Sequence, residues 1–108
     1  MNTEHSFIYS DLALDKDLRE ILTMYVEEMP DKIVRLEREC AERNWLELRT
    51  AAHQLKGSAG SHGFAEISLA AEELETALKT KQPEEQIKLI VQHLTGLCRR
   101  VTADQPIS

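Results

Sequence analysis

Apolar residues recur at steps of three and four along almost the whole chain, from Leu14 to Val101, and this spacing constrains the fold more than any other feature. No stretch alternates apolar and polar residues well enough to read as a strand. Only four glycines and three prolines punctuate the 108 residues, which suits an all-helical chain.

The first run carries Leu14, Leu18, Ile21, Leu22, Tyr25, Val26 and Met29. Pro30 lacks an N–H and disfavours the helical region at Met29, so a break or kink is expected there. The stripe resumes in phase with Ile33, Leu36 and Cys40, so the two runs also fit one kinked rod. Asn44 reads as an N-cap with Glu47 in the capping-box position, which starts the next helix at Trp45. Its apolar or small face is Leu48, Ala52, Leu55 and Ala59, and Gly63 is the candidate stop. A third run presents Phe64, Ile67, Ala71, Leu74 and Leu78, with Glu66, Glu72, Glu73 and Glu75 as its polar positions. Pro83, Glu84 and Glu85 open the last helix, which carries Ile87, Ile90, Val91, Leu94, Leu97, Cys98 and Val101. The expected fold is all-α: an antiparallel four-helix bundle with an additional N-terminal helical segment. It forms a single domain over residues 1–108, with its core at about 11–102 and polar tails at both ends. Met1 and the polar end Thr102–Ser108 fit a complete small protein as well as a domain cut from a larger one.

Composition removes several function classes. Thirteen basic residues against 19 acidic ones give a formal charge of −6, which argues against a general binder of nucleic acid or anionic membranes. Cys40 and Cys98 are too few and too far apart for a disulfide framework or a zinc site, and read as buried reduced thiols of a cytoplasmic protein. No apolar run approaches membrane-spanning length, and Met1–Ser10 lacks the pattern of a signal peptide. The residues three before His53, His62 and His93 are Thr50, Ala59 and Ile90, so the Glu-x-x-His pairs of a bundle di-metal site are missing. His62 near a helix end reads as a carbonyl cap or a solvent-facing ring, His93 as a surface or boundary residue, and His5 as part of a mobile N-terminus.

Three of the four glycines fall in one segment, His53 to Gly63. Inside a helix, Gly57 and Gly60 cost about 2 kcal/mol together relative to alanine. Such a cost suggests that bare backbone is needed there for the close approach of another surface. At about 100° per residue, Arg49, Lys56, Gly57 and Gly60 share a broad face with His53, away from the buried stripe. His53 is thus expected to be exposed, with a cation one turn away and two side chains missing beside it. Taken alone, it reads as an ordinary solvent-facing histidine, and a flexible glycine loop with the helix ending near Lys56 is a lesser alternative. The coincidence of Lys56, Gly57 and Gly60 with His53 favours a functional site. An imidazole is a usable nucleophile near neutral pH, and a neighbouring lysine offsets the charge of a phosphoryl group held on it. A Walker loop fits poorly, because the order is Lys56-Gly57-Ser58 after a helix rather than Gly-Lys-Ser/Thr after a strand.

The segment His53-Gln54-Leu55-Lys56-Gly57-Ser58-Ala59-Gly60 closely resembles the core of histidine phosphotransfer (HPt) domains, with Gly63 as its last glycine. Asn44-Trp45 and Leu74-Glu75 are similar to the flanking features of that family, and Ala59 stands where many members have Ser. The resemblance implies a four-helix bundle in which His53 takes a phosphoryl group from a receiver-domain aspartate and passes it to another receiver. It implies that Lys56 stabilises that group and that Gly57 and Gly60 leave room for the receiver; Arg49, on the same helix face by spacing, is expected beside the docking surface. Arg35, Arg38 and Arg43 are expected to add positive charge near that face. The implied partners are response-regulator receivers and a hybrid sensor histidine kinase. No cofactor is expected on this chain, since the receiver brings Mg²⁺. Without the Gly-rich loop and acidic metal ligands of a kinase, the chain reads as a carrier, not an ATP-dependent enzyme. The alternatives are a non-catalytic bundle that binds a receiver or another signalling protein, and a histidine-kinase fragment. A dimerising kinase bundle needs a long two-helix hairpin, so the several short helices favour a monomer.

Overall fold

A computed structural model describes residues 6–106. Four helices make the bundle: α1 (Arg19–Ala41), α2 (Trp45–Ser61), α3 (Ala65–Lys79) and α4 (Glu84–Cys98). α1 packs on α2 and α4, and α3 packs on the same two helices, so the four close into a ring. One contiguous core runs through them and is mostly aliphatic, with Phe64, Leu22, Met29, Leu36, Leu48, Ile67, Leu74 and Leu94 fully enclosed. Among the described residues, no helix is long and apolar enough to cross a membrane.

The expected leading segment is not a separate element. Pro30 lies inside α1, and the helix runs unbroken through it. A mid-helix proline costs about 3 kcal/mol. Leu22, Tyr25, Met29, Ile33 and Leu36 are all buried on one stripe either side of it. Each such burial is worth roughly 1.5–3 kcal/mol, so together they outweigh the proline. The helix also starts later than the apolar spacing suggests. Asp15 accepts from the Asp17 backbone N–H at 3.0 Å and caps a 3-10 turn, Lys16–Leu18. Leu14, left before it, is 74% exposed, and Ile21 is exposed as well.

Three helix ends close in the same way. The residue after each C-cap adopts a left-handed conformation: Arg43 (φ 57°), Gly63 (φ 80°) and Lys81 (φ 56°). At each, two backbone bonds turn the chain back, as in Phe64 N–H to Ala59 O at 2.9 Å and Gly63 N–H to Gly60 O at 3.2 Å. Gly63 is the stop expected from sequence. Arg43 and Lys81 carry no such signal. Asn44 does occupy the N-cap position of α2, but its side chain makes no capping bond. Its amide instead turns back toward Glu39 and Glu42, at 3.5 and 3.4 Å, and Glu47 pairs with Arg35 at 3.9 Å, so no capping box forms.

A two-residue parallel strand pair joins the chain ends, β1 (Ile8–Tyr9) with β2 (Val101–Thr102). Ile8 is buried, so the packed core begins before residue 11. The segment then crosses the end of α2, where Ser10 Oγ donates to His62 O at 2.6 Å and Asp11 N–H to Gly63 O at 2.8 Å. A Cβ at Gly63 would collide with Ser10 Oγ, so this glycine meets both a conformational and a steric demand.

Candidate functional site: a histidine held by a buried carboxylate

α2 continues through Gly57 and Gly60 to Ser61, so the glycines form no loop. Its buried face is Leu48, Ala51, Ala52, Leu55 and Ala59. That rotation leaves the His53 side chain 69% exposed. Beneath it, from α3, lies Glu75, whose side chain is only 8% exposed. His53 Nδ1 and Glu75 Oε2 are 2.9 Å apart. An ionised carboxylate only accepts, so Nδ1 carries the hydrogen and donates it. In the neutral ring the lone pair is then on Nε2, which has no hydrogen-bond partner among the described residues.

Two lysines complete the cluster. Lys56 Nζ lies 3.6 Å from Glu75 Oε1, and Lys79 Nζ lies 3.6 Å from Oε2, the oxygen that also receives the His53 hydrogen. Burial alone would push the Glu75 carboxyl up. The hydrogen bond from His53 and the positive charges of Lys79, His53 and Lys56 outweigh it and hold the carboxyl below its ordinary range. Glu75 therefore stays ionised near neutral pH and fixes the tautomer of the ring above it, as a carboxylate does for an active-site histidine. The sequence reading places it among the solvent-facing acids of α3. The structure corrects this: Glu66, Glu72 and Glu73 are exposed, whereas Glu75 is buried.

The two glycines near His53 differ. A Cβ at Gly57 would touch nothing within 4 Å, so the space beside the ring is open and the fold itself does not require the glycine. A Cβ at Gly60 would lie 3.3 Å from Ser68 Oγ. Ser68 donates from α3 to the Lys56 carbonyl at 2.8 Å, so Gly60 serves the close approach of α3 to α2. The room expected for a partner at Gly60 is taken up by the protein itself.

The arginines are more engaged than expected. Arg35 donates to Gln54 at 2.7 Å, Arg38 lies 3.5 Å from Glu39, and Arg43 pairs with Glu84. Arg49 is exposed and forms no ion pair among the described residues. His62 is a carbonyl cap, donating from Nδ1 to Ser58 O at 2.7 Å. His93 is exposed, and His5 lies outside the described residues. Cys40 and Cys98 are buried free thiols, and burial pushes Cys98 up to about 12. Among the described residues, no three His, Cys, Asp or Glu side chains gather as metal ligands.

The sequence profile of the Hpt domain matches residues 20–103, nearly the whole of the bundle. No curated protein and no solved structure gave a match. The matched span takes in all of α2, α3 and α4 and all but the first residue of α1, and the chain belongs to the Hpt domain family, the histidine phosphotransfer domains of phosphorelays.

Proposed function

We propose that this chain is a phosphocarrier in which His53 Nε2 accepts a phosphoryl group from the aspartate of one receiver domain and gives it to another. The observation that carries this reading is the His53–Glu75 pair, an exposed ring tethered through Nδ1 with Nε2 left unpartnered. On acceptance, the Nε2 lone pair forms the N–P bond while the aspartyl P–O bond breaks and leaves its electron pair on the carboxylate. The positive charge that develops on the ring spreads to Nδ1–H, where Glu75 neutralises it. On donation, a carboxylate oxygen of the second receiver's aspartate forms the new P–O bond as the N–P bond breaks, the pair returns to Nε2, and the Nδ1 hydrogen stays in place throughout.

Lys56 is within reach of the same chemistry, and we assign it to the phosphoryl oxygens once they arrive. The open space at Gly57 admits the receiver, and Arg49, which forms no ion pair among the described residues, adds positive charge beside it. Mg²⁺ and the acidic pocket belong to the receiver, and a hybrid sensor histidine kinase stands upstream. The chain works as a cytoplasmic monomer and contributes the nucleophile and its support, not an ATP site.

The test is labelling by a phosphorylated receiver. His53→Gln should fold normally, by circular dichroism and thermal melt, and take up no acid-labile phosphate. Undiminished acid-labile labelling of that variant would overturn the assignment.

A further inference from the structure

Glu75 has three partners but not three equivalent ones. Lys56, from α2, faces Oε1 alone. His53, also from α2, and Lys79, from α3, share Oε2. These are the titratable groups within ion-pair distance of Glu75 among the described residues. If His53 carries the phosphoryl group, as proposed above, a dianionic group arrives on a ring already bonded to a buried carboxylate. Lys56 is then drawn to the phosphoryl oxygens, and Oε1 loses its cation. Lys79 is the one remaining lysine. It sits four residues after Glu75 on the same helix, in the more favourable Glu-then-Lys order.

We propose that Lys79 is a positioning residue of the phosphorylated state: it keeps Glu75 ionised after Lys56 has turned away, and so preserves the hydrogen bond that fixes the His53 ring. Lys79 touches neither the phosphoryl group nor the reacting nitrogen. It acts through Glu75. A protonated Glu75 would lose most of its hold on the Nδ1 hydrogen, the ring would be free to turn, and the charge on it would lack a counterion. Lys56 and Lys79 therefore do different work, although they lie at the same distance from one carboxylate.

The two roles separate by pH. The probe is phosphoramidate, a small donor that phosphorylates histidine with loss of ammonia and needs no docking face. The phosphorylated protein is then mixed with an unphosphorylated receiver, and single-turnover transfer is followed from pH 3.5 to pH 8. Lys79→Gln should move the acid limb of the transfer rate upward by about one pH unit, a loss of ~10-fold on that limb. Lys79→Arg should restore the wild-type profile. Lys56→Gln should slow transfer across the whole range without moving the limb. A Lys79→Gln profile that matches wild type, or falls evenly at every pH, or differs only in the receiver concentration needed for half-maximal rate, would overturn the role. Passage of phosphoramidate-derived phosphate to the receiver that survives in His53→Gln would instead overturn the phosphocarrier reading on which this inference rests. Lys79 is exposed, so its replacement leaves the core intact.

Discussion

His53 and His62 belong to the same helical segment and use the same ring nitrogen as a donor, yet their surroundings differ. His53 Nδ1 meets a carboxylate from another helix at 2.9 Å, in a ring 69% exposed. His62 Nδ1 meets the Ser58 carbonyl of its own helix at 2.7 Å, and its ring lies stacked on Tyr25 with centroids 4.0 Å apart and planes at 11°. Tyr25 in turn bonds Ser58 Oγ at 2.7 Å. One ring has an anion behind it and open space in front. The other is a cap pressed against an aromatic face. Donation from Nδ1 leaves Nε2 without a hydrogen-bond partner among the described residues in both, so the tautomer alone does not make a phosphoryl site. What sets His53 apart is the charge beneath the ring and the missing side chain beside it.

The two histidines separate most clearly when each is lost in turn. His62→Gln should retain receiver-dependent labelling while lowering the melting temperature, since it removes a stacked cap. His53→Gln should do the reverse, and labelling lost in both variants would erase the distinction. Next in size is Glu75→Gln, which keeps the shape but removes the anion. Transfer should slow by about 10- to 100-fold, by analogy with loss of the carboxylate that orients a metal-bound histidine. Rates within twofold of wild type would reduce Glu75 to a structural role.

The glycines give a smaller, opposite-signed pair. Gly63→Ala, beside His62, places a Cβ in a left-handed residue and against Ser10 Oγ, so chemical denaturation should show a loss of at least ~1–2 kcal/mol. Gly57→Ala, beside His53, should stabilise the free protein by about 1 kcal/mol, because its Cβ meets nothing. It should nonetheless weaken transfer from a receiver more than labelling by phosphoramidate. A Gly57→Ala variant that transfers normally from the receiver would show that the open space is not used.

The smallest effect is on stability against pH. Glu75 is held below its ordinary range in the fold. Its contribution is therefore complete above the unfolded carboxylate value, about 4.3, and is lost as pH falls through the folded value. Wild type should lose more stability than Glu75→Gln between pH 5 and pH 3. Parallel curves for the two would mean that the carboxylate is not held ionised by its neighbours.

Much of the His53 region was legible in sequence because it is local. His53, Lys56 and Gly57 fall on one helix face by spacing alone, and the glycines stand out against a chain with few others. Glu75 was not legible as a partner. It lies 22 residues away, among four similar acids, and only the rotation of α3 selects it. Lys79 is hidden for the same reason. The apolar spacing gave the helices, yet Pro30 suggested a break that the buried stripe overrides. Arg43 and Lys81 take left-handed turns that no glycine announces. The strand pair of Ile8 and Val101 is too short to alternate and joins the two ends of the chain.

The site is defined by which His53 ring nitrogen carries phosphate and which keeps its hydrogen. Long-range ¹⁵N–¹H NMR of the phosphorylated chain reads both at once. Phosphorus coupling is expected at His53 Nε2, with Nδ1 protonated and its hydrogen still bonded to the ionised Glu75 carboxylate. Phosphorus on His53 Nδ1, or a His53 ring unchanged by phosphorylation, would contradict this assignment.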